Sequence, residues 1–282
     1  MRSVMTLGIA VMMAVSIGVL YASDKIIKAA VSQHTTNNSG NKINQKMKIE
    51  IWSDVVCPFC YIGKTKFQVA LDQFADKDNI EVEWKSYQLM PSITTQTDKN
   101  IDQVLAETKG VTIDQAKQMN TQAALMGKQA GLEYNFNKAI VANTFRAHQF
   151  LHFAKKYGKQ TDAEGLMFRS YFTDGRNVDD IPTLVELGRS IGLDTVALKV
   201  ALEQQTYADA VRADISEAGQ IGIRSVPFFV FNGKYAVSGA QDPQTFLNVL
   251  ERSFAEWEKE KPHKNIEIME GGASCTPNGK CE

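Results

Sequence analysis

Residues 51–63 read IWSDVVCPFCYIG. The alternating segment Lys48–Ser53 and the helical pattern that follows place Cys57 and Cys60 between a strand and a helix. A helix N-terminus has unpaired N–H groups and a partial positive charge, which would stabilise a thiolate at Cys57. Pro58 suits the first helical position, where no N–H is needed. Cys60, one turn further on, could close a disulfide or resolve a mixed disulfide on Cys57.

The same spacing also occurs as half of a zinc site. A structural zinc site needs two further Cys or His ligands. No second pair follows Cys57 and Cys60 within the usual interval of sequence. The pattern therefore favours redox chemistry, and no metal site is predicted.

The elements around the cysteine pair form a βαβ unit. A helix is expected from about Pro58 to Ala75, after the strand at Lys48–Ser53. Apolar and charged residues then alternate over Ile80–Lys85, which indicates a second strand. Strand, helix and strand within about forty residues are typical of this unit.

A long helical block follows. From about Asn100 to Gly219 the apolar period is helical, and no strand pattern interrupts it. Thr112 and Gln115 form a capping-box pattern at the start of one helix. The helices are expected at about 112–129, 137–157, 162–172, 180–192, from 194 onward, and at 207–219.

The β pattern returns near the end of the domain. Val226–Phe231 is a short apolar strand, Asn232-Gly233 is a two-residue hairpin turn, and Tyr235–Val237 is the returning strand. A last amphipathic helix opens at Asp242-Pro243. The sequence thus predicts an α/β fold of the type βαβ…ββα over residues 47–260, with an all-helical insertion at about 98–206.

Residues 51–63 resemble the active-site segment of the DsbA-like thioredoxin family, and its FrnE-type branch most closely. Residues 143–148, NTFRAH, and 223–229, IRSVPFF, are similar to that branch too. The resemblance covers about residues 47–257. It implies a thioredoxin-like fold and dithiol–disulfide exchange on protein substrates, with Cys57 as the nucleophile and Cys60 as the resolving thiol.

The resemblance also implies a role for the segment around Pro227. Its peptide bond with Val226 would be cis, and the backbone before it would be turned toward the nucleophilic sulfur. Pro58, Phe59, Val226 and Pro227 are therefore the expected substrate-binding residues. The partners would be protein thiols or disulfides and an unidentified redox partner, and the redox-active disulfide would replace any separate cofactor.

A second function class stays open. The family is related to 2-hydroxychromene-2-carboxylate isomerases and kappa-class glutathione transferases, which typically have Ser at the position of Cys57 and use bound glutathione. Under this alternative, Asn143, Thr144 and His148 would lie near the ligand. His152 follows His148 by one helical turn, and a solvated or core-edge pair is favoured over a metal site.

Both ends of the chain differ from the domain. The uncharged apolar run Val4–Leu20 predicts a signal peptide or an N-terminal membrane anchor within residues 1–23, and a polar linker follows at 24–46. The domain would then be exported to a periplasmic or other extracytoplasmic space, and only the N-terminal segment would contact the membrane.

The C-terminal residues 261–282 are expected to form a flexible tail that holds Cys275 and Cys281. Pro277 and Asn278-Gly279 can form a turn between these cysteines. An inert local disulfide, a shuttle that exchanges with the first cysteine pair, and metal binding are the three alternatives.

The composition excludes other classes. The chain has 31 basic and 32 acidic residues among 282 and no basic cluster, which argues against nucleic-acid binding. Four cysteines in a chain of this length do not form a disulfide scaffold.

Overall fold

The computed structural model describes residues 45–96 and 98–260. The predicted signal peptide or anchor, most of the predicted linker, and the tail with Cys275 and Cys281 lie outside the described residues. Within the described part of the chain, no helix has both the length and the apolar character needed to cross a membrane.

A four-stranded mixed sheet forms the base of the domain. Its strands are β1 (Met47–Ser53), β2 (Ile80–Ser86), β3 (Phe228–Phe231) and β4 (Tyr235–Ser238). The spatial order is β2-β1-β3-β4. Strand β1 pairs in parallel with β2 and antiparallel with β3, and β3 pairs antiparallel with β4. The parallel pair needs a crossover connection, which the helix after Cys57 supplies.

Nine α-helices accompany the sheet in the described residues. Helix α1 is Pro58–Gln73, a 3₁₀ turn at Lys77–Asn79 precedes β2, and α9 is Pro243–Glu260. Seven helices lie between β2 and β3: α2 (Ile101–Lys109), α3 (Ile113–Gln129), α4 (Phe145–Lys156), α5 (Gln160–Phe172), α6 (Ile181–Ser190), α7 (Thr195–Glu203) and α8 (Ala208–Gln220). The predicted βαβ…ββα fold with a helical insertion is confirmed.

The side chains of β1 belong to two hydrophobic cores. Met47, Ile49 and Ile51 belong to a cluster that includes apolar residues of α1 and α9. Trp52 belongs to a second cluster, which includes Cys57, Cys60 and the apolar residues of the inserted helices. Because successive side chains of a strand point to opposite faces, β1 joins the two cores. The end of β1 therefore brings the cysteine loop to the boundary between the sheet domain and the insertion.

The hairpin between β3 and β4 forms as predicted. Asn232 and Gly233 both have positive φ angles, of 51° and 64°, which is the backbone of a type I′ turn. The start of β3 was predicted two residues too early. The strand begins at Phe228, because Pro227 has no N–H to donate to a neighbouring strand.

Two predicted helix boundaries are wrong. The helix expected over 137–157 begins only at Phe145, because Val141 forms a bridge with Gln96 and the Asn143 side chain accepts a hydrogen bond from the Phe145 amide. The helix expected to be capped by Asp162 begins at Gln160. Helix α2, which precedes the first predicted helix, was not identified separately, since its few buried apolar residues give a weak pattern.

Candidate active site

Cys57 is the N-cap of α1, with φ of −90° and ψ of 114°. Its amide donates to the Asp54 carbonyl at 2.9 Å, and its own carbonyl accepts from the Cys60 amide at 3.1 Å. Pro58 is the first helical residue, as predicted. Both cysteines are free thiols, with 4% and 1% of their surfaces exposed, while Phe59 between them is 41% exposed.

The segment before β3 closes the other side of the site. The Cys57 thiol donates to the Val226 carbonyl, with 3.7 Å between sulfur and oxygen. The Val226–Pro227 peptide bond is cis. Helix α1 approaches this segment closely at Gly63, where an added Cβ would lie 2.8 Å from Pro227 Cγ. The structure therefore brings Cys57, Cys60, Pro58, Val226 and Pro227 together.

Cys60 has a different environment from Cys57. Burial raises the pKa of the Cys60 thiol well above its ordinary value, and the neighbouring Cys57 raises it further. The Asp54 amide and the Ser53 side chain act in the opposite direction, because both favour the thiolate of Cys60. Cys60 is thus a protonated thiol at neutral pH, and it needs a proton acceptor before it can attack a disulfide.

Aromatic residues of the insertion cover the beginning of α1. Tyr134 Oη donates to the Pro58 carbonyl at 2.7 Å, and its ring lies 4.7 Å from that of Phe172. Tyr61 stacks on Phe168 at 5.0 Å. Burial raises the pKa of Tyr134, and the nearby Cys57 contributes to the shift. The insertion therefore supplies an apolar wall beside the two thiols.

A buried polar cluster lies behind the cysteine loop. We call Ser53, Asp54, His148 and Glu164 the polar cluster; each is no more than 1% exposed. Ser53 Oγ donates to Glu164 Oε1 at 2.7 Å, and Asp54 Oδ2 accepts from the Leu89 amide at 2.8 Å. Asp54 Oδ1 and His148 Nε2 are 3.4 Å apart, yet neither atom makes a hydrogen bond of acceptable geometry.

Two residues of the polar cluster, Glu164 and His148, have pKa values above their ordinary values. Burial raises the pKa of Glu164 to about 7, against the opposing influence of Ser53, His148 and Lys64. Burial alone would lower the pKa of His148, but the adjacent Asp54 carboxylate raises it above its ordinary value. Glu164, with a pKa of about 7, and His148, with a raised pKa, therefore lie next to the cysteine loop.

The residues predicted to lie near a ligand are divided between two places. His148 belongs to the buried polar cluster and is 1% exposed. Asn143 lines a cleft of about 400 Å³ with Gln88, Thr95 and Arg146. Gln88 Nε2 donates to Asn143 Oδ1 at 3.2 Å and to Thr144 Oγ1 at 3.4 Å. His152 is a core-edge residue, with its Nε2 2.9 Å from Asp214 Oδ2.

Sequence reasoning assigned no role to Ser53, Asp54, Tyr134 or Glu164. A signal existed for Glu164, which lies four residues before Phe168 and so falls on the apolar face of α5. A carboxylate on such a face is costly unless it has partners or a function. For Tyr134, which lies in the connection between α3 and α4, the sequence offered no comparable signal.

The comparisons with known proteins agree with this geometry. The DSBA-like thioredoxin domain family matches residues 48–251. The uncharacterized protein YwbO of Bacillus subtilis (strain 168) is 33% identical over 217 residues, which are 76% of this chain and 98% of YwbO. The crystal structure of a probable DsbA oxidoreductase from Streptomyces coelicolor is 35% identical, with a TM-score of 0.69, and the match covers 84% of this chain and 98% of that one.

A more distant structure shares the fold. The 2-hydroxychromene-2-carboxylate isomerase is 13% identical, with a TM-score of 0.53, over 76% of this chain and 97% of that one.

Proposed function

This chain belongs to the DsbA-like thioredoxin family, and from that premise we propose that it is a thiol–disulfide oxidoreductase that exchanges disulfides with protein substrates. Cys57 is the nucleophile in this proposal, and Cys60 is the resolving thiol. The probable DsbA oxidoreductase at 35% identity supports the same reaction class.

One observation carries the proposal. Two free thiols are held at the beginning of α1, and the sulfur of Cys57 faces the Val226 carbonyl at 3.7 Å. Cys57 lies at the N-cap of α1, at the end where the helix dipole is positive. Cys60 lies deeper and stays protonated, so the two thiols are suited to different steps.

The exchange proceeds in two steps. When the protein acts as a reductant, the Cys57 thiolate attacks a substrate disulfide, a mixed disulfide forms, and one substrate sulfur leaves as a thiolate. The Cys60 thiol then loses its proton and attacks Cys57, and the second substrate sulfur leaves. Two electrons pass from the protein dithiol to the substrate. The oxidative direction runs through the same steps in reverse.

The surroundings of the thiols fit a protein substrate. Phe59 is 41% exposed beside the buried cysteines, and Leu89, next to the loop that holds Asp54, is 45% exposed. We propose that an extended substrate segment lies over Phe59 and Val226, and that a separate redox protein restores the starting state of the thiols. No further cofactor is needed, because the disulfide carries the electrons.

The glutathione-dependent alternative makes a different prediction at the same residues. A glutathione-dependent enzyme would bind glutathione beside Cys57, and its turnover of a small-molecule substrate would not depend on Cys60. The fold is shared with 2-hydroxychromene-2-carboxylate isomerase. A cysteine at position 57 favours disulfide exchange, since the thiolate can attack a disulfide directly.

The test uses the full chain with Cys275→Ser and Cys281→Ser, so that Cys57 and Cys60 are its only thiols. We expect the oxidised protein to catalyse disulfide formation in reduced, unfolded ribonuclease with glutathione disulfide as the final oxidant, and Cys57→Ala to abolish this activity. Cys60→Ala should accumulate mixed disulfides, which mass spectrometry detects. Activity retained by Cys57→Ala would refute the proposal, and a persistent glutathione adduct on unmutated Cys57 would favour the alternative.

We also propose that the domain acts outside the cytoplasm. The support is the apolar run at Val4–Leu20, which precedes the polar linker. Fractionation of cells that produce the full chain should recover it in the extracytoplasmic or membrane fraction, and recovery in the cytoplasm would contradict this location.

A further inference from the structure

A polar cleft lies between the loop after β2 and the beginning of α4, and the proposed reaction does not use it. Its volume is about 400 Å³, and Gln88, Arg146 and Gln149 are among the residues that line it. This volume is at the lower end of the range for ligand sites, about 300–1,000 Å³. The cleft can hold one side chain together with the peptide groups next to it.

The cleft lies close to the loop of the nucleophile. Gln88 lines the cleft, and the amide of the next residue, Leu89, donates to Asp54 Oδ2 at 2.8 Å. The carbonyl of the same Asp54 accepts from the Cys57 amide at 2.9 Å. A single residue therefore connects the wall of the cleft to Cys57, and a substrate segment that reacts at Cys57 can extend into the cleft.

Gln149 is a buried polar residue of the cleft that has no partner. It is 2% exposed, its Oε1 is fully buried, and its side chain makes no hydrogen bond to the described residues. Rotation of the amide exchanges its oxygen and nitrogen, so either atom can face the cleft. Native proteins leave few buried polar groups unpaired. A ligand with N–H or C=O groups, such as a peptide backbone, would supply the missing partner.

Arg146 has hydrogen-bond donors that the protein leaves unused. Its Nη1 donates to the Asp179 carbonyl at 2.5 Å and to Asp179 Oδ1 at 2.7 Å, while Asp179 Oδ2 accepts from Thr95 Oγ1 at 2.6 Å. Asp179 thus orients the guanidinium group, and both of its own carboxylate oxygens have partners. Nε and Nη2 of Arg146 make no hydrogen bond to the described residues. These two atoms form the edge that binds a carboxylate through two parallel hydrogen bonds.

The charges around the cleft are balanced. Arg146 is paired with Asp179, and Arg212, which lies 5.4 Å from the ring of the lining residue Phe145, is paired with Asp209. The cleft therefore has no excess of positive charge that would attract every anion from a distance. A carboxylate gains from this site only when it reaches the free edge of Arg146, so recognition depends on its position in the substrate.

We propose that this cleft binds an acidic side chain of the protein substrate, close in sequence to the cysteine that reacts with Cys57. The carboxylate of an aspartate or glutamate binds Nε and Nη2 of Arg146, and a neighbouring peptide group binds the amide of Gln149. In an extended segment, at about 3.3 Å per residue, the acidic residue lies about three to five residues from the reacting cysteine. The inference rests on the proposed function, because it names a feature of that reaction's substrate.

The test compares two peptides that differ by one group. Each has a single cysteine in a disulfide with 2-nitro-5-thiobenzoate, and the residue about four positions away is glutamate in one and glutamine in the other. The reduced full chain with Cys275→Ser and Cys281→Ser is mixed with each peptide in a stopped-flow instrument. The Cys57 thiolate attacks the peptide sulfur, and the bond to 2-nitro-5-thiobenzoate breaks. This coloured thiolate leaves, and its absorbance gives the rate.

The unmutated chain should react roughly three- to tenfold faster with the glutamate peptide, as expected for hydrogen bonds to a charged group. Peptides with the acidic residue moved along the chain, to either side of the cysteine, should lose this preference away from the matching position. Arg146→Gln should bring the ratio of the two rates close to one, because an amide cannot replace the two donors of the guanidinium edge.

Arg176→Gln is the matched control for the loss of a positive charge. Arg176 is also a partly exposed arginine of the insertion and is paired with a carboxylate, that of Glu186 at 2.5 Å, but it is not among the residues that line the cleft. Arg176→Gln should keep the preference for the glutamate peptide.

Gln149→Met tests the cleft without changing the ion pair. Methionine is unbranched like glutamine and has no group that needs a hydrogen bond, so the urea midpoint of unfolding should stay the same or rise. Both peptides should react at least about twofold more slowly, relative to the 2-nitro-5-thiobenzoate disulfide of 2-mercaptoethanol, which is too short to reach the cleft. A lower midpoint with unchanged relative rates would assign Gln149 a structural role and contradict the proposal.

Three further outcomes separate the possible failures. Equal rates with the glutamate and glutamine peptides at every spacing, or an equal loss of preference in Arg146→Gln and Arg176→Gln, would overturn the inference. If the 2-nitro-5-thiobenzoate disulfide of glutathione reacts faster than the glutamate peptide and depends on Arg146, the free edge holds a glutathione carboxylate, and the inference also fails. If the unmutated chain releases no coloured thiolate from any of these disulfides, the proposed function itself is refuted.

Discussion

At the scale of single residues, Gly63 limits how the site can change. A Cβ at this position would lie 2.8 Å from Pro227 Cγ and 3.4 Å from Phe229 Cζ. The proline ring is rigid and forms part of the site, so it cannot move away without disturbing the Val226 carbonyl. The absence of one methyl group thus lets α1 pack against the segment that faces Cys57.

Gly63→Ala should therefore destabilise the protein. Overpacking costs about 1–3 kcal/mol, which outweighs the gain of about 1 kcal/mol that alanine brings to a helix interior. Urea unfolding measures the effect, and disulfide exchange should slow as well. Gly219→Ala is the control, because nothing lies within 4 Å of a Cβ there, and it should stabilise α8 by up to about 1 kcal/mol. If Gly63→Ala and Gly219→Ala both stabilise the protein, the close approach of α1 to Pro227 does not limit position 63.

The residue scale also shows what the sequence could reveal about the site. Cys57, Cys60 and Pro58 were identified from spacing, because a helix N-terminus imposes local requirements that nearby residues express. Glu164 is more than a hundred residues from Cys60 in sequence, and only the packing of α5 against the end of β1 brings them together. The apolar face of α5 marks Glu164 as a buried carboxylate, but no local pattern encodes its contact with Ser53.

At the scale of elements, helix caps explain which boundaries were predicted correctly. The Thr112 side chain accepts from the Gln115 amide, and the Gln115 side chain accepts from the Thr112 amide, which forms the predicted capping box. The helix expected from residue 137 failed because its true start depends on a pairing of Val141 with Gln96, far away in sequence. The helix boundary at Thr112, which depends on residues close in sequence, was predicted correctly. The boundary at Phe145, which depends on a contact between distant residues, was not.

Thr112→Ala tests the contribution of this cap. Loss of the side-chain acceptor should lower the free energy of unfolding by about 1 kcal/mol, because an N-terminal N–H of α3 loses its partner. Thermal or urea unfolding gives the value. Thr121→Ala, at an exposed position inside the same helix, should be neutral or stabilising by a few tenths of a kcal/mol, about the difference in helix propensity. An equal loss in both variants would show that the cap contributes little.

At the scale of the whole molecule, the two hydrophobic cores differ in the residues that they contain. The cluster between the sheet, α1 and α9 contains Phe67, Phe229 and Phe246 in close aromatic contact. The cluster formed with the insertion contains the thiols and packs beside the polar cluster. The first core is built for stability, whereas the second includes groups whose charge changes with pH.

This division predicts how stability depends on pH. Glu164 has a pKa of about 7 in the folded protein and an ordinary value of 4.5. Between these values the folded state holds a proton that the unfolded state has lost, so the free energy of unfolding falls as pH rises. At 1.36 kcal/mol per pH unit, the loss from about pH 4.5 to 7 is roughly 3 kcal/mol.

The other buried ionisable groups change the free energy of unfolding in other ranges of pH. His148 has a raised pKa, so its contribution is complete below its ordinary value of 6.5 and is lost as pH rises through the folded value. Glu83 and Asp214 have lowered pKa values, and their contributions are lost only when pH falls through those values. Between pH 5 and 6.5, the decline should therefore come mainly from Glu164.

Glu164→Gln should flatten this decline, because an amide does not titrate. The measurement is urea unfolding of the unmutated chain and the variant at several values from pH 5 to 7.5, with the difference in free energy plotted against pH. The variant should gain stability relative to the unmutated chain as pH rises, by an amount on the order of 2–3 kcal/mol over this range. Asp102→Asn, at a buried carboxylate that accepts from Asn120 at 2.6 Å, should follow the unmutated slope. If Glu164→Gln keeps that slope too, Glu164 is ionised in the folded protein at neutral pH, and its carboxylate must be neutralised by Lys64 and His148 instead.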